Sequence, residues 1–223
     1  MSLREVAVAM DLSRSTAHRM LKCLLDERLI DHVAGTRRYV IGSLTFELGL
    51  TATNHQLEVM KWRAAVEELS RRTETTIHLM GRSFNDSVCL FKCDGSAVVR
   101  VIPVEVGQRR PLGVGAGATA LLAATSDADT DRVLETIAPY LHRYTSLTVE
   151  DIRRNVDGAR RTGFAESRGS VAVGVYGLGA AIPNPHGPAK LALSLAAHES
   201  LATPDRIALW KRCMTEAINE GEA

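Results

Sequence analysis

Residues 13–41 change periodicity once, and that change constrains the fold more than any other stretch of the chain. Ser13 reads as a helix N-cap, with Leu12 and Ala17 placed as a hydrophobic staple around it. Ala17, Met20, Leu21 and Leu24 recur at the i, i+3, i+4, i+7 spacing of one buried helix face. Arg14, Ser15, His18, Arg19 and Lys22 fall on the other face. From Ile30 the pattern switches to two short β-branched runs, Ile30 to Val33 and Arg37 to Ile41, around Ala34-Gly35-Thr36. A helix of that length followed by so short a hairpin cannot enclose a core alone, so it needs a further element behind it.

That element precedes it. Ser2 and Glu5 have capping-box spacing, and Leu3, Val6, Ala7 and Met10 repeat at helical spacing. Asp11-Leu12-Ser13 leaves room only for a tight turn, which gives the order helix, turn, helix, hairpin of a winged helix-turn-helix. An amphipathic helix with a basic outer face is usually a solvated surface. The ordered set favours a major-groove reader instead, with Arg14, Ser15, Thr16, His18, Arg19 and Lys22 facing DNA and Arg37 and Arg38 on phosphates or a minor groove. The charges of residues 1–50 nearly cancel, so binding would depend on where the positive groups lie.

Further along, Leu57 to Arg72 predicts an amphipathic helix with Val59, Met60, Val66 and Leu69 inward. Strands are expected over Thr75–Met80, Val88–Cys93 and Val98–Val104, and helices over Ala116–Ala124, Thr130–Ala138 and Thr148–Thr162, with Thr148 and Asp151 as a capping-box variant. Two late strands, Gly174–Ile182 and Ala189–Ala196, flank the turn Asn184-Pro185-His186-Gly187 and close the pattern as a final hairpin. Such an order predicts an α+β fold, an antiparallel sheet with helices packed on it.

Several motifs in this order resemble the IclR family of bacterial transcription regulators. Ser15-Thr16-Ala17-His18-Arg19 with its leucine ladder, the wing end Arg38-Tyr39-Val40-Ile41-Gly42, and Leu44 to Leu48-Gly49 resemble the N-terminal part. Pro111 through Ala123 is similar to the family's P-L-H-x-T-A-x-G-K-A-L-L-A segment, and Arg160 through Ala165 to its R-x-x-G-Y-A. Val173-Gly174-Val175 with Ala180-Ala181-Ile182-Pro183 is similar to its G-V…A-A-P. The resemblance implies a winged helix-turn-helix over 1–42, a linker helix over 43–54 and a GAF-like effector-binding domain over 55–223. It also implies a double-stranded DNA operator, a small organic acid effector (a carboxylate or aromatic acid), and a homodimer that can pair into a dimer of dimers. The chain opens at the cap of the helix before the turn, so the family's first helix is expected to be missing, leaving Ala7, Met10, Ala17 and Leu21 with less cover.

The stretch Gly113–Gly117 lacks the Gly-Lys-Ser/Thr ending of a P-loop and the G-x-G-x-x-G spacing. At a helix start, glycine and alanine leave backbone N–H groups open to a small anion such as a carboxylate. Position by position, the resemblance puts effector contacts at Ala116 and Gly117, polar or small positions at Ser167, Gly177 and Ser194, and apolar walls at Val99 and Ile102. Family members often have an acid at Ser167 or Ser170, a polar side chain at Gly177 and a serine at Ala196. These departures predict a roomier, less polar pocket.

No catalytic residue, metal site or cofactor is expected. The seven histidines are scattered outside any nucleophile pattern, although His78 and Ser194 could meet as a pocket pair. Cys23, Cys89, Cys93 and Cys213 lack metal-ligand spacing, and Cys89 and Cys93 are expected on one strand face as plain core. No apolar run approaches the roughly 20 residues of a membrane span, and the N-terminus lacks a secretory pattern, which with free thiols points to the cytoplasm. Two rival classes stay open: a stand-alone small-molecule sensor with a non-competent DNA module, and an enzyme on the GAF-like domain.

Overall fold

The structure, a computed structural model, describes residues 1–96, 104–144 and 147–222. The chain divides into two compact units, Met1–Glu58 and Val59–Ala223.

In the first unit α1 spans Leu3–Ala9 and α2 Arg14–Asp26, followed by β1 (Ile30–His32), β2 (Tyr39–Ile41) and α3 (Ser43–Thr51). The Ser2 hydroxyl accepts from Glu5 N at 3.3 Å while Ser2 N donates to the Glu5 carboxylate at 2.8 Å, closing the capping box. Asp11 takes φ 49° in the turn, a left-handed conformation that aspartate tolerates, and Ser13 caps α2 through Thr16 N at 3.2 Å. β1 and β2 pair antiparallel as the wing, and Met1 and Ser2 pair along β2 through Tyr39 and Arg38. Gly42 closes this layer: a Cβ there would lie 2.3 Å from Arg28 O.

The inward face of α2 is narrower than predicted. Ala17 and Leu21 are buried, so they keep their cover, and Leu25 is half-buried beside them. Met20 and Leu24, predicted inward, are 49% and 37% exposed, and Met10 is exposed too. The buried set steps by four residues and drifts around the helix toward Leu25, away from the expected side.

The second unit is organised by a six-stranded antiparallel sheet in the order β5-β4-β3-β8-β7-β6. Its strands are β3 (Thr76–Ser83), β4 (Asp86–Cys93), β5 (Arg109–Pro111), β6 (Ala165–Arg168), β7 (Val175–Ile182) and β8 (Leu191–His198). The period of two sorts their side chains between faces. Ile77, Leu79, Tyr176, Leu178, Leu193 and Leu195 meet α4 (Thr53–Thr73) through Trp62, Val66 and Leu69, and α8 (Pro204–Glu222) through Trp210, Met214 and Ile218. Met80, Cys89 and Ala192 share the opposite core with α5 (Ala116–Ala123), α6 (Asp127–Ile137) and α7 (Val149–Thr162).

Several expectations change here. The chain does not end on the β7–β8 hairpin: α8 follows, and its Trp210 is wholly buried. Met60 is 69% exposed because the inward stripe of α4 runs through Trp62 instead. The short strands β5 and β6 form the two sheet edges, and the expected strand 98–104 lies almost wholly outside the described residues. Cys89 and Cys93 do not share a face. Leu79 pairs with Phe91 and Met80 with Cys89, so Leu90 is an extra, bulged residue that reverses the alternation between the two cysteines.

β7 and β8 present small residues toward α5: Gly177, Gly179, Ala192, Ser194 and Ala196. The first turns of α5, Ala116-Gly117-Ala118, are equally small, so helix and sheet backbones approach closely. A Cβ on Gly179 would lie 2.4 Å from Ala116 O, and one on Gly117 2.8 Å from Ser194 Cβ. That proximity places the start of α5 directly over the middle of the sheet.

Candidate functional site

On the first unit, the side chains of Arg14, His18, Arg19, Lys22 and Arg37 are exposed, and no ion pair engages them among the described residues. Ser15 and Thr16 are placed differently from the expectation of free donors. Their hydroxyls lie 3.0 Å and 2.9 Å from the Ser13 cap oxygen, and Thr16 is half-buried. Thr36 fixes the wing tip, its hydroxyl donating to Val33 O at 3.0 Å and accepting from Arg38 N at 3.2 Å. Arg38 sits 3.7 Å from Glu5, whose carboxyl is held below its usual range by the Ser2 N–H and by Arg38 itself. Such an exposed pair is weak enough for a phosphate to displace.

On the second unit, Ala116, Gly117, Ser167, Gly177 and Ser194 line one cavity, although they come from α5, β6, β7 and β8. Val99 and Ile102 lie outside the described residues. The cavity also takes in His78, Met80, Ser87, Arg110, Val114 and Val171. Its enclosed volume is about 40 Å³, and its lining is mostly apolar. The glycine at 177 makes no extra room, because α5 closes over it: a Cβ there would meet Ser167 Oγ at 2.5 Å and Ala116 Cβ at 3.2 Å. Polarity comes from His78 and Arg110 instead. An open cleft lined by Asp151, Arg154, Glu166, Arg168 and Ser170 also includes Ser167, which thus borders both spaces.

The electrostatics of the cavity are one-sided. Arg110 reaches from edge strand β5 to the loop before α5, where a Cβ on Gly115 would lie 3.8 Å from its Nη1. Burial pushes its guanidinium pKa down, and no carboxylate pairs with it among the described residues. The first N–H groups of α5 have no intrahelical acceptor, so their partial positive charge adds to the cation. Gly113 and Gly115, at φ 87° and 88°, turn the chain into the helix. Thr119 fixes that turn by donating to Gly113 O and Gly115 O at 3.0 and 2.9 Å. His78 is 1% exposed, and burial holds its imidazole down at about 4, well below the usual value. Burial also pushes the nearby Cys89 thiol up to about 11, where it is no nucleophile.

His78 and Arg110 were not among the predicted contacts. The pairing of His78 with Ser194 had a sequence signal, since both stand in predicted strands; in the sheet they are register partners. Arg110 had none, because Gln108-Arg109-Arg110 reads as a solvated loop.

Comparison with known proteins agrees with this architecture. A family model described as the C-terminal domain of the bacterial transcriptional regulator IclR matches residues 51–218, and one for the IclR helix-turn-helix domain matches residues 1–34. The chain therefore belongs to the IclR family of bacterial transcriptional regulators, with a helix-turn-helix and an effector-binding C-terminal domain. It is 26% identical over 210 residues to the HTH-type transcriptional repressor AllR of Klebsiella pneumoniae, covering 92% of this chain and 75% of that one. An IclR transcriptional regulator from Alicyclobacillus acidocaldarius has a similar structure, with TM-score 0.79, 22% identity and coverage of 99% and 88%. So does an IclR homologue from Microbacterium hydrocarbonoxydans complexed with 4-hydroxybenzoate, with TM-score 0.75, 18% identity and coverage of 99% and 90%.

Proposed function

We propose that this chain is an operator-binding regulator whose DNA affinity is set by a small organic acid in the cavity at the start of α5. The reading is supported above all by the half-buried Arg110 beside that helix start, which no carboxylate pairs among the described residues. A buried cation without a carboxylate lacks compensation, and an anionic ligand supplies it. Ala116 and Gly117 would offer backbone N–H groups, Ser167 and Ser194 hydroxyls, and Gly177 the close floor. The 4-hydroxybenzoate bound by the Microbacterium protein is an acid of this class.

On DNA, Arg14, His18, Arg19 and Lys22 of α2 face the major groove, with Ser15 and Thr16 holding the cap and Arg37 and Arg38 on the backbone. The chain acts as a dimer on a symmetric operator. Exposed apolar residues on α3 (Phe46, Leu48, Leu50) and α4 (Leu57, Met60) support that assembly. Acid binding changes operator affinity by a coupling energy of about 1–3 kcal/mol. A cytoplasmic location follows from an operator as partner.

Fluorescence anisotropy with DNA fragments from beside the protein's own gene, at several salt concentrations, tests this. One fragment should bind tightly, with affinity falling steeply with salt, and Arg19→Ala should cost about 1–3 kcal/mol on that fragment and less on others. Acid binding without any salt-dependent DNA binding would leave a stand-alone sensor, and turnover of the acid would make the domain an enzyme.

A further inference from the structure

Among the described residues, one ring nitrogen of His78 has no partner. Its Nδ1 lies 3.3 Å from Ser194 O, and a carbonyl oxygen only accepts, so the ring proton belongs on Nδ1. Nε2 then carries a lone pair. It is buried, no donor among the described residues reaches it, and His78 lines the cavity. A buried acceptor left unmade costs free energy that a ligand donor recovers.

The surroundings keep that nitrogen an acceptor. Lys92 and Arg110 disfavour a second ring proton and Asp94 favours one. Lys92 already bridges Glu105 at 2.8 Å and Asp94 at 3.3 Å, so burial outweighs these charges and keeps the ring neutral at ordinary pH. The cavity thus offers two unlike demands: an anion for Arg110 and the first turn of α5, and a neutral hydrogen-bond donor for His78.

We infer that the effector is a hydroxy acid, its carboxylate held by Arg110 and the start of α5 and its hydroxyl donating to Nε2 of His78. This rests on the reading that the cavity holds an acid. A simple acid leaves Nε2 unpaired, and a diacid sets a second anion against a neutral acceptor. His78 is then the residue that determines specificity.

Isothermal titration calorimetry on the full chain tests it with two matched pairs, lactate against propionate and 4-hydroxybenzoate against benzoate. The hydroxylated member of at least one pair should bind about tenfold tighter, a difference typical of one satisfied buried acceptor. No proton should be taken up between pH 6 and 8, as judged in buffers of different ionisation enthalpy. His78→Leu should abolish the preference yet keep binding of the simple acid, and His78→Gln, which retains an acceptor, should keep part of it. The wild-type comparison and the proton count need no variant to fold. Equal affinity within both pairs overturns the inference while leaving the acid reading intact. Uptake of about one proton per ligand also overturns it, because the carboxylate would then lie on a protonated His78. Binding of none of the four acids, or binding unaffected by Arg110→Met, overturns the acid reading itself.

Discussion

At the scale of single residues, the cavity side of the sheet combines a titratable group and tight backbone contacts. His78 has a folded pKa of about 4 against an ordinary 6.5. Between those values the unfolded chain binds the extra proton, so the stability that His78 contributes is intact above pH 6.5 and is lost as pH falls toward 4. Urea unfolding of wild type and His78→Gln should therefore converge or cross over that window, with a relative change of up to about 3 kcal/mol. A constant offset from pH 7 to 4 would contradict the burial of a neutral ring. The glycines make a second prediction. Gly179→Ala drives a methyl into Ala116 O, a backbone atom, while Gly177→Ala first meets Ser167 Oγ, which can rotate away. Gly179→Ala should cost about 3 kcal/mol in urea unfolding, within the range of overpacked cores, and Gly177→Ala less.

At the scale of elements, caps were the most legible feature, because a cap is a local exchange of hydrogen bonds within four residues. Ser2 with Glu5, Ser13 with Thr16, and Thr148 with Asp151 all form as their spacing predicted. Helix faces were less legible. Met20, Leu24 and Met60 have the right residue type at nearly the right angle, but burial depends on what stands opposite, which the local sequence does not state. The edge strands β5 and β6 read as loops because an edge needs only one paired side and tolerates Arg, Glu and Ser. Arg110 escaped notice with β5, and its role emerges only when β5 is set against the start of α5. Glu5 links two elements, capping α1 while pairing with Arg38 of the wing. Glu5→Gln keeps an acceptor for Ser2 N and frees Arg38. Nonspecific DNA binding should then tighten, measured by anisotropy, because Arg38 reaches a phosphate without giving up Glu5. Unchanged affinity would mean that Arg38 makes no phosphate contact.

At the scale of the whole molecule, the winged helix-turn-helix and the antiparallel sheet with its helices were legible from the order of periodicities, together with the family motifs. α8 was not, although Trp210, Cys213, Met214 and Ala217 line one of its faces, because no motif announced it. Assembly gives the prediction at this scale. Phe46 and Leu50 stand one turn apart on α3, both exposed. Phe46→Ser with Leu50→Ser should weaken the proposed dimer by at least tenfold in sedimentation equilibrium without lowering the melting temperature of the Val59–Ala223 unit. Unchanged association would move the dimer contact elsewhere.

The near contact between α5 and the β7–β8 face also bears on how this chain can diverge. A floor made of backbone offers mutation little to vary, since a methyl added at Gly179 strikes main-chain atoms of Ala116 and one added at Gly117 strikes Ser194 Cβ. The rim is different: His78, Arg110, Ser167 and Ser194 project from strands already fixed by pairing. A lineage can therefore exchange one ligand for another by rewriting a few rim side chains while the scaffold stays the same. Chemical preference and fold then evolve at separate rates, and two such proteins with nearly superimposable sheets need not share a ligand.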